Sequence, residues 1–323
     1  IGLSLAPIIG GILNYNLGWR SIFYIVIPFL ILLLYLIPKK IKSEWKVGEN
    51  DPIDIPGSVI YSIAIICAVY GFTIINTTLG LILTVIGLIG LIGFTAFELR
   101  QKYPIFELRL FKNHKFLSSN IASLISYLAT FVITFVINYH LQYIMGMNSQ
   151  SAGFILIITP VMMAVLAPFA GKLSDKINPQ KLAAIGMGLV AIAIFILVFI
   201  TDTTPLYVIG FAMFLQGVGY GLFSSPNTNS IMSSVPRKQT PSASSAVATM
   251  RVIGQTLSSG MLTVLFAIIM GSVPIIPKYY GLLMYSSKIA CIISVILCVI
   301  AVLTCLVGIH SKDKYNTEED LTV

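Results

Sequence analysis

Any chemistry in this chain must come from twelve carboxylates, three histidines, four cysteines and twenty lysines and arginines. The acids are Glu44, Glu49, Asp51, Asp54, Glu98, Glu107, Asp175, Asp202, Asp313, Glu318, Glu319 and Asp320. Each lies in or beside a polar stretch that separates or follows the long apolar runs, and none lies in the middle of a run. A carboxylate relay inside an apolar layer is therefore not expected from these residues. No CxxC pair occurs; Cys291, Cys298 and Cys305 recur every seven residues. On a helix that spacing sets them about 10 Å apart, too far for a disulfide, and they read as small packing residues. HExxH, GxSxG and phosphate-loop spacings are missing. Gly217-Val218-Gly219-Tyr220-Gly221 lies inside an apolar run, where close helix packing is the natural use of glycine. We expect no catalytic residue, no metal site and no cofactor, and the chain reads as a non-enzyme.

Arg251 is the exception among the ionisable groups, because Thr249-Met250-Arg251-Val252-Ile253-Gly254 lies within a run. It either snorkels to the inner surface or faces a neighbouring helix or cavity as a gating residue. His140 and Lys288 fall near helix ends and read as interfacial. Uncharged polar residues cluster as Asn120, Tyr127, Asn138 and Tyr139 in one run, Gln216, Tyr220, Asn227 and Asn229 in another, and Gln255 in a third. They either hydrogen-bond between helices or line a cavity for apolar and mildly polar solutes. Tyr127, Gln216 and Tyr220 are each about ten to fourteen residues into their runs, so a shared level near mid-depth is expected. With Asn138 they form the candidate substrate pathway. Asn227 and Asn229 read as inner-gate or packing residues, and Met162, Met163, Met213 and Met250 as adaptable apolar walls.

The elements that must position these groups follow from composition. The chain has 323 residues, 57% hydrophobic and only 10% charged, with a mean hydropathy of +0.93. An ordinary soluble domain carries about 25% charged residues, so a soluble enzyme, a disordered chain and a collagenous repeat are excluded. A bilayer core about 30 Å thick requires about 20 apolar residues per helix. That ruler marks one partial run, Ile1–Tyr15, and nine complete ones: Ile22–Ile37, Ser58–Ile75, Leu79–Phe97, Leu117–Leu141, Ala152–Leu173, Leu182–Ile200, Leu206–Met232, Ala243–Met270 and Tyr285–Ile309. The runs are continuous rather than alternating, so helices and not a barrel cross the membrane. The fold class is all-α integral membrane, with about ten transmembrane helices.

The net charge of +8 has a topological origin. Sixteen of the twenty basic residues fall in alternate connections and the tail, against three, Arg20, Lys278 and Lys288, on the other side. The basic side is then cytoplasmic, as is the C-terminus. A nucleic-acid partner is unnecessary; the lipid bilayer is the expected surroundings. Within the connection at 100–116, apolar residues at 105, 106, 108, 110 and 111 with charges between them suggest an amphipathic segment on the inner membrane surface, or an ordinary solvated linker. The chain opens Ile1-Gly2-Leu3-Ser4, apolar and without Met. No signal peptide is read there, and a fragment beginning inside a membrane helix is expected.

Gly2-Leu3-Ser4-Leu5-Ala6-Pro7-Ile8-Ile9-Gly10-Gly11 resembles the antiporter motif of the fifth helix in the major facilitator superfamily. Gly18-Trp19-Arg20-Ser21-Ile22-Phe23 with Pro28 is similar to the start of the sixth helix in its EmrB/QacA-type drug:proton antiporter branch, as is Asp54-Ile55-Pro56-Gly57 before the third run. Gly171-Lys172-Leu173-Ser174-Asp175 through Lys181 resembles the second-half copy of the superfamily's cytoplasmic loop motif, with Asn178 in place of the usual Gly, both of which tolerate a left-handed backbone. Arg251-Val252-Ile253-Gly254 through Ser258 is similar to a stretch of the thirteenth helix. The resemblance covers essentially the whole chain and implies a fourteen-helix branch lacking its first four helices. It divides the chain into 1–37, the end of the N-terminal bundle; 38–116, two linker helices plus the amphipathic segment; 117–309, the C-terminal bundle; and 310–323, a cytoplasmic tail.

It also implies roles. Gly2, Pro7, Gly10 and Gly11 become antiporter-motif packing residues, and Asp175 and Arg251 gating residues. The function implied is proton-coupled efflux of small amphipathic or cationic compounds by alternating access, from a monomer in the plasma membrane. The alternatives are export of a metabolite or amino acid on the same scaffold, or a membrane subunit or sensor that transports nothing.

Overall fold

The computed structural model describes residues 2–40, 54–75, 77–101, 108–236, 239–271, 273 and 275–309. The expected solvated loop at 41–53, the first half of the amphipathic segment at 102–107, and the tail from 310 lie outside the described residues. Among the described residues nine helices are long and apolar enough to cross a membrane. Each overlaps one of the nine complete apolar runs, with bounds within three residues except at the last, which starts eight residues earlier at Pro277. A further helix, α1 (Gly2–Leu17), covers the partial one.

The order is α1, α2 (Ser21–Tyr24), α3 (Val26–Lys40), α4 (Ile55–Thr73), α5 (Thr78–Glu98), α6 (His114–Tyr139), α7 (Ser149–Leu156), α8 (Ile158–Ser174), α9 (Pro179–Val198), α10 (Leu206–Ser233), α11 (Thr240–Ile269) and α12 (Tyr280–Ile309). Helices α2 and α3 are one span broken at Ile25, and α7 and α8 are one span broken at Ile157. Pro160 explains the second break, because it lacks the N–H that would reach back to residue 156. The span containing α6 ends in a widened π-turn at His140–Ile144.

Local caps start several helices. Asn113 accepts from the backbone N–H of Lys115 at 2.9 Å to open α6. Asp54 accepts from Gly57 N–H at 2.9 Å to open α4, with Pro56 inside the first turn. Asn178 accepts from Gln180 N–H at 3.0 Å to open α9. Its φ is −49°, outside the left-handed region that Asn and Gly both tolerate. An N-cap holds an extended backbone while its side chain satisfies an exposed N–H, and that requirement replaces the one glycine would meet.

Helices α6, α9, α10 and α12 enclose the main core, with Ile133, Ile137, Met187, Ile194, Ile209 and Cys298 almost fully buried. Cys291 and Cys305 are buried there too, as packing residues on α12. Helix α11 packs on α6, α8 on α10, α1 on α7, and the α4–α5 hairpin on α11. Outward faces remain apolar, with Ile192, Phe195 and Phe199 on or just beyond α9 all exposed, as lipid contact requires. A second cluster joins Phe116, Ile231, Val235, Ala243 and Ala246 at one end of α6, α10 and α11. Leu110, in a short 3-10 turn at Leu108–Lys112, is buried in it. The described half of the expected amphipathic segment thus inserts into the protein, because Leu110 finds an apolar seat between helix ends.

One of the acids beside an apolar run is buried. Glu98, at the end of α5, is 2% exposed. Its Oε2 lies 3.1 Å from where a Cβ on Gly57 would stand, and Asp54 Oδ2 crowds the same point. The hairpin closes there, and Gly57 provides the space.

Candidate functional site: a central cavity between α1, α6, α8, α10 and α11

Small residues bring the helices together around a cavity of about 470 Å³. A Cβ on Gly11 would stand 2.7 Å from Ser149 O, and one on Gly153 would stand 2.5 Å from Pro7 O, so α1 and α7 touch backbone to backbone. A Cβ on Gly217 would meet Thr159 O at 2.5 Å, and one on Gly221 would meet Leu166 Cβ at 3.1 Å, which seats α10 against α8. Thr159 fastens this contact by donating to Met213 O at 3.0 Å. A Cβ on Gly254 would stand 2.6 Å from Leu124 O and 2.8 Å from Tyr127 Cβ, so α11 approaches α6 at that level. One turn on, Ser258 Oγ accepts from the Val132 N–H at 2.8 Å.

That close approach delivers Arg251 to Tyr127. The guanidinium carbon lies 5.4 Å from the centre of the Tyr127 ring. Arg251 is the twelfth residue of α11, about 16 Å from the helix start at 1.5 Å per residue. It is half-buried and faces the cavity instead of the helix end. Tyr127 meets Tyr220 with ring centres 6.0 Å apart, and Tyr220 meets Phe223 at 5.9 Å. Gln216, one turn from Tyr220, also lines the cavity, as does Asn138. Asn138 Oδ1 accepts from Gln142 Nε2 at 2.7 Å.

All four substrate-pathway candidates, Tyr127, Asn138, Gln216 and Tyr220, therefore line one space with Arg251. The remaining polar residues separate by their bonds. Asn120 donates to Phe116 O within its own helix at 2.9 Å. Asn227 donates to Ser119 O at 3.0 Å and to Ser123 Oγ at 2.7 Å, tying α10 to α6. Asn229 donates to Ser174 Oγ at 3.0 Å and reaches Asp175 Oδ1 at 3.5 Å. Asp175 thus closes α8, and its described polar neighbour is a side chain of α10. Among the expected apolar walls, Met163 and Met213 line the cavity, while Met162 packs behind Gly217.

The expected antiporter-motif residues divide. Pro7 lines the cavity, and Gly11 makes the close contact with α7. Gly10 has nothing within 4 Å of where its Cβ would stand, so among the described residues it does not pack. Gly2 is the first residue of α1. Sequence reasoning passed over the α6 stripe of Thr130, Phe131, Thr134 and Phe135, which lies between Tyr127 and Asn138 on the cavity wall. Its helical spacing was the available signal. Gln255 completes the polar lining from α11, and among the described residues no Asp or Glu contributes to it.

An all-helical, membrane-spanning bundle with a mid-depth cavity is the class this arrangement defines. Residues 1–259 match the Major Facilitator Superfamily, and the chain belongs to that family. It is 29% identical over 274 residues to the riboflavin transporter RibZ of Clostridioides difficile, covering 83% of this chain and 58% of that protein. It is 26% identical over 271 residues to the multidrug efflux pump LfrA of Mycolicibacterium smegmatis, covering 82% and 53% respectively. The lincomycin resistance protein LmrB of Listeria innocua is 25% identical over 264 residues, covering 80% of this chain and 56% of that one. The chain spans between about half and three-fifths of the length of these relatives. The fold resembles the crystal structure of a bacterial homologue of the human lysosomal transporter Spinster, inward-facing and occupied. The TM-score is 0.51 at 13% identity, over 78% of this chain and 65% of the other.

Proposed function

We propose that the protein moves small amphipathic compounds out across the plasma membrane by alternating access, as a monomer coupled to proton entry. The observation that carries this is the cavity of about 470 Å³, with a largely apolar wall and a few convergent uncharged polar groups. That size and lining suit a drug-sized solute. The level of Tyr127, Gln216 and Tyr220 agrees with substrate sites near the bilayer midplane. Two multidrug or antibiotic-resistance relatives support efflux. The antiporter-type motif around Pro7 and Gly11 supports exchange, and assignment to the fourteen-helix branch rests on the motifs quoted above. Asp175 and Arg251 are proposed as residues that bias the conformational exchange.

A second reading is movement of a metabolite, favoured by the 29% identity to a riboflavin transporter. The test is uptake of fluorescent dyes and riboflavin into inverted vesicles bearing the full-length protein, with and without a protonophore. Protonophore-sensitive dye accumulation supports multidrug efflux. Accumulation of riboflavin alone supports the second reading. No movement of any solute overturns both.

A further inference from the structure

The polarity of the cavity says which charge its cargo should carry. Among the described residues its lining includes one charged side chain, Arg251. The four described acids are elsewhere: Asp54 caps α4, Glu98 ends α5, Asp175 ends α8, and Asp202 follows α9. A guanidinium cannot lose its proton under ordinary conditions, so the positive charge is permanent. At mid-depth such a group requires a compensating partner. The Tyr127 ring, 5.4 Å away, supplies a partial one through its negative face. Arg251 is half-buried and lines the cavity, so its guanidinium can meet a solute there.

From these observations we infer that the cavity selects organic anions or anion-like acceptors with a planar aromatic body, and disfavours lipophilic cations. The inference rests on the transport reading and names its substrate class. Arg251 supplies a planar fork of N–H donors that matches a carboxylate or another paired-oxygen group. Tyr127, Phe131, Phe135 and Tyr220 supply faces and edges for an aromatic ring. The amides of Gln216 and Gln255 can take up further polar groups on the solute. A cation in the same space meets a like charge at Arg251. Gly254 makes this possible: a larger residue there would force α11 away from Leu124 and Tyr127 and carry Arg251 off with it.

The experiment uses two dyes of one ring system and opposite charge, fluorescein and tetramethylrhodamine methyl ester. Binding to the purified full-length protein is read by fluorescence polarisation, and transport is read separately in inverted vesicles. The expected result is tenfold or tighter binding of fluorescein. Arg251→Gln should lower fluorescein affinity at least tenfold and leave the rhodamine unchanged or improved. Arg251→Lys should keep the sign of the preference, and Arg251→Glu should reverse it. If Arg251→Gln fails to fold, the wild-type ranking and Arg251→Lys still decide. A wild-type preference for the rhodamine, or equal loss of both dyes in Arg251→Gln, overturns the inference; failure to bind either dye also does so. Fluorescein bound in preference but never transported would uphold the charge selection and sink the transport reading. Rhodamine transported in preference would do the opposite.

Discussion

At the scale of single residues, Tyr127 joins several parts of the site. Its ring meets Arg251 and Tyr220, its Cβ lies 2.8 Å from where a Cβ on Gly254 would stand, and it forms part of the cavity wall. Removing the ring takes away a cation–π partner and a stacking face together. We expect Tyr127→Ala and Gln216→Ala to change the resistance profile across a panel of compounds at matched expression. At least one compound should shift by about tenfold, the equivalent of about 1.4 kcal/mol. Uniform loss for every compound would show a packing role, and no change would put the pocket elsewhere. Gly254 is the companion test. A Leu there has no room against the α6 backbone, so Gly254→Leu should cost about 1–3 kcal/mol of stability. A lowered melting temperature checks it; an unchanged one would mean that α11 does not need its present seat.

Helices are held to one another by buried polar contacts at one end of the bundle. Gln180 of α9 donates to Ser119 Oγ at 3.1 Å, and Ser119 Oγ lies 3.0 Å from Ser230 Oγ of α10. Asn227 adds two bonds to α6. Deleting its amide leaves Ser119 O without that donor and opens a small void. Asn227→Ala should therefore destabilise the protein by about 1–3 kcal/mol, read as an earlier thermal transition without a change in substrate profile. A changed profile at unchanged stability would move Asn227 into the pathway. The contact between Asn229 and Asp175 is different, because it joins the end of α8 to α10 at the surface with a long 3.5 Å bond. Such a contact is weak enough to break and reform during a conformational cycle. Asp175→Asn is expected to slow transport by the full-length protein while expression is unchanged; wild-type turnover would reduce the motif to a topogenic loop.

For the whole molecule the governing quantity is the distribution of basic residues. Sixteen against three across the two sets of connections is a large asymmetry over short loops. A reporter fused after Val323 should read as cytoplasmic. A signal from the opposite side would invert the assignment and with it the direction proposed for transport.

How much of this was legible beforehand varies with the physics of each feature. The nine spans could be read because a bilayer imposes a one-dimensional rule, about 20 apolar residues whatever their order. The same rule puts acids outside the runs, and no described carboxylate reaches the cavity lining. Tyr127, Gln216 and Tyr220 could be set at one depth because helical rise is fixed. Depth is all that rise determines, however. Helices that are apolar on every side do not announce which face meets a neighbour. Only the packing decided that Gly254 presses on Tyr127 and turns Arg251 into the cavity. It also decided that Gly11 rather than Gly10 meets α7, that Leu110 inserts between helix ends, and that Glu98 is buried beside Gly57. Sequence alone thus determined which segments cross the membrane and at what depth their polar groups lie. Rotation about each helix axis, and therefore which of those groups share one cavity, was settled by backbone-to-backbone contacts at small residues far apart in the chain.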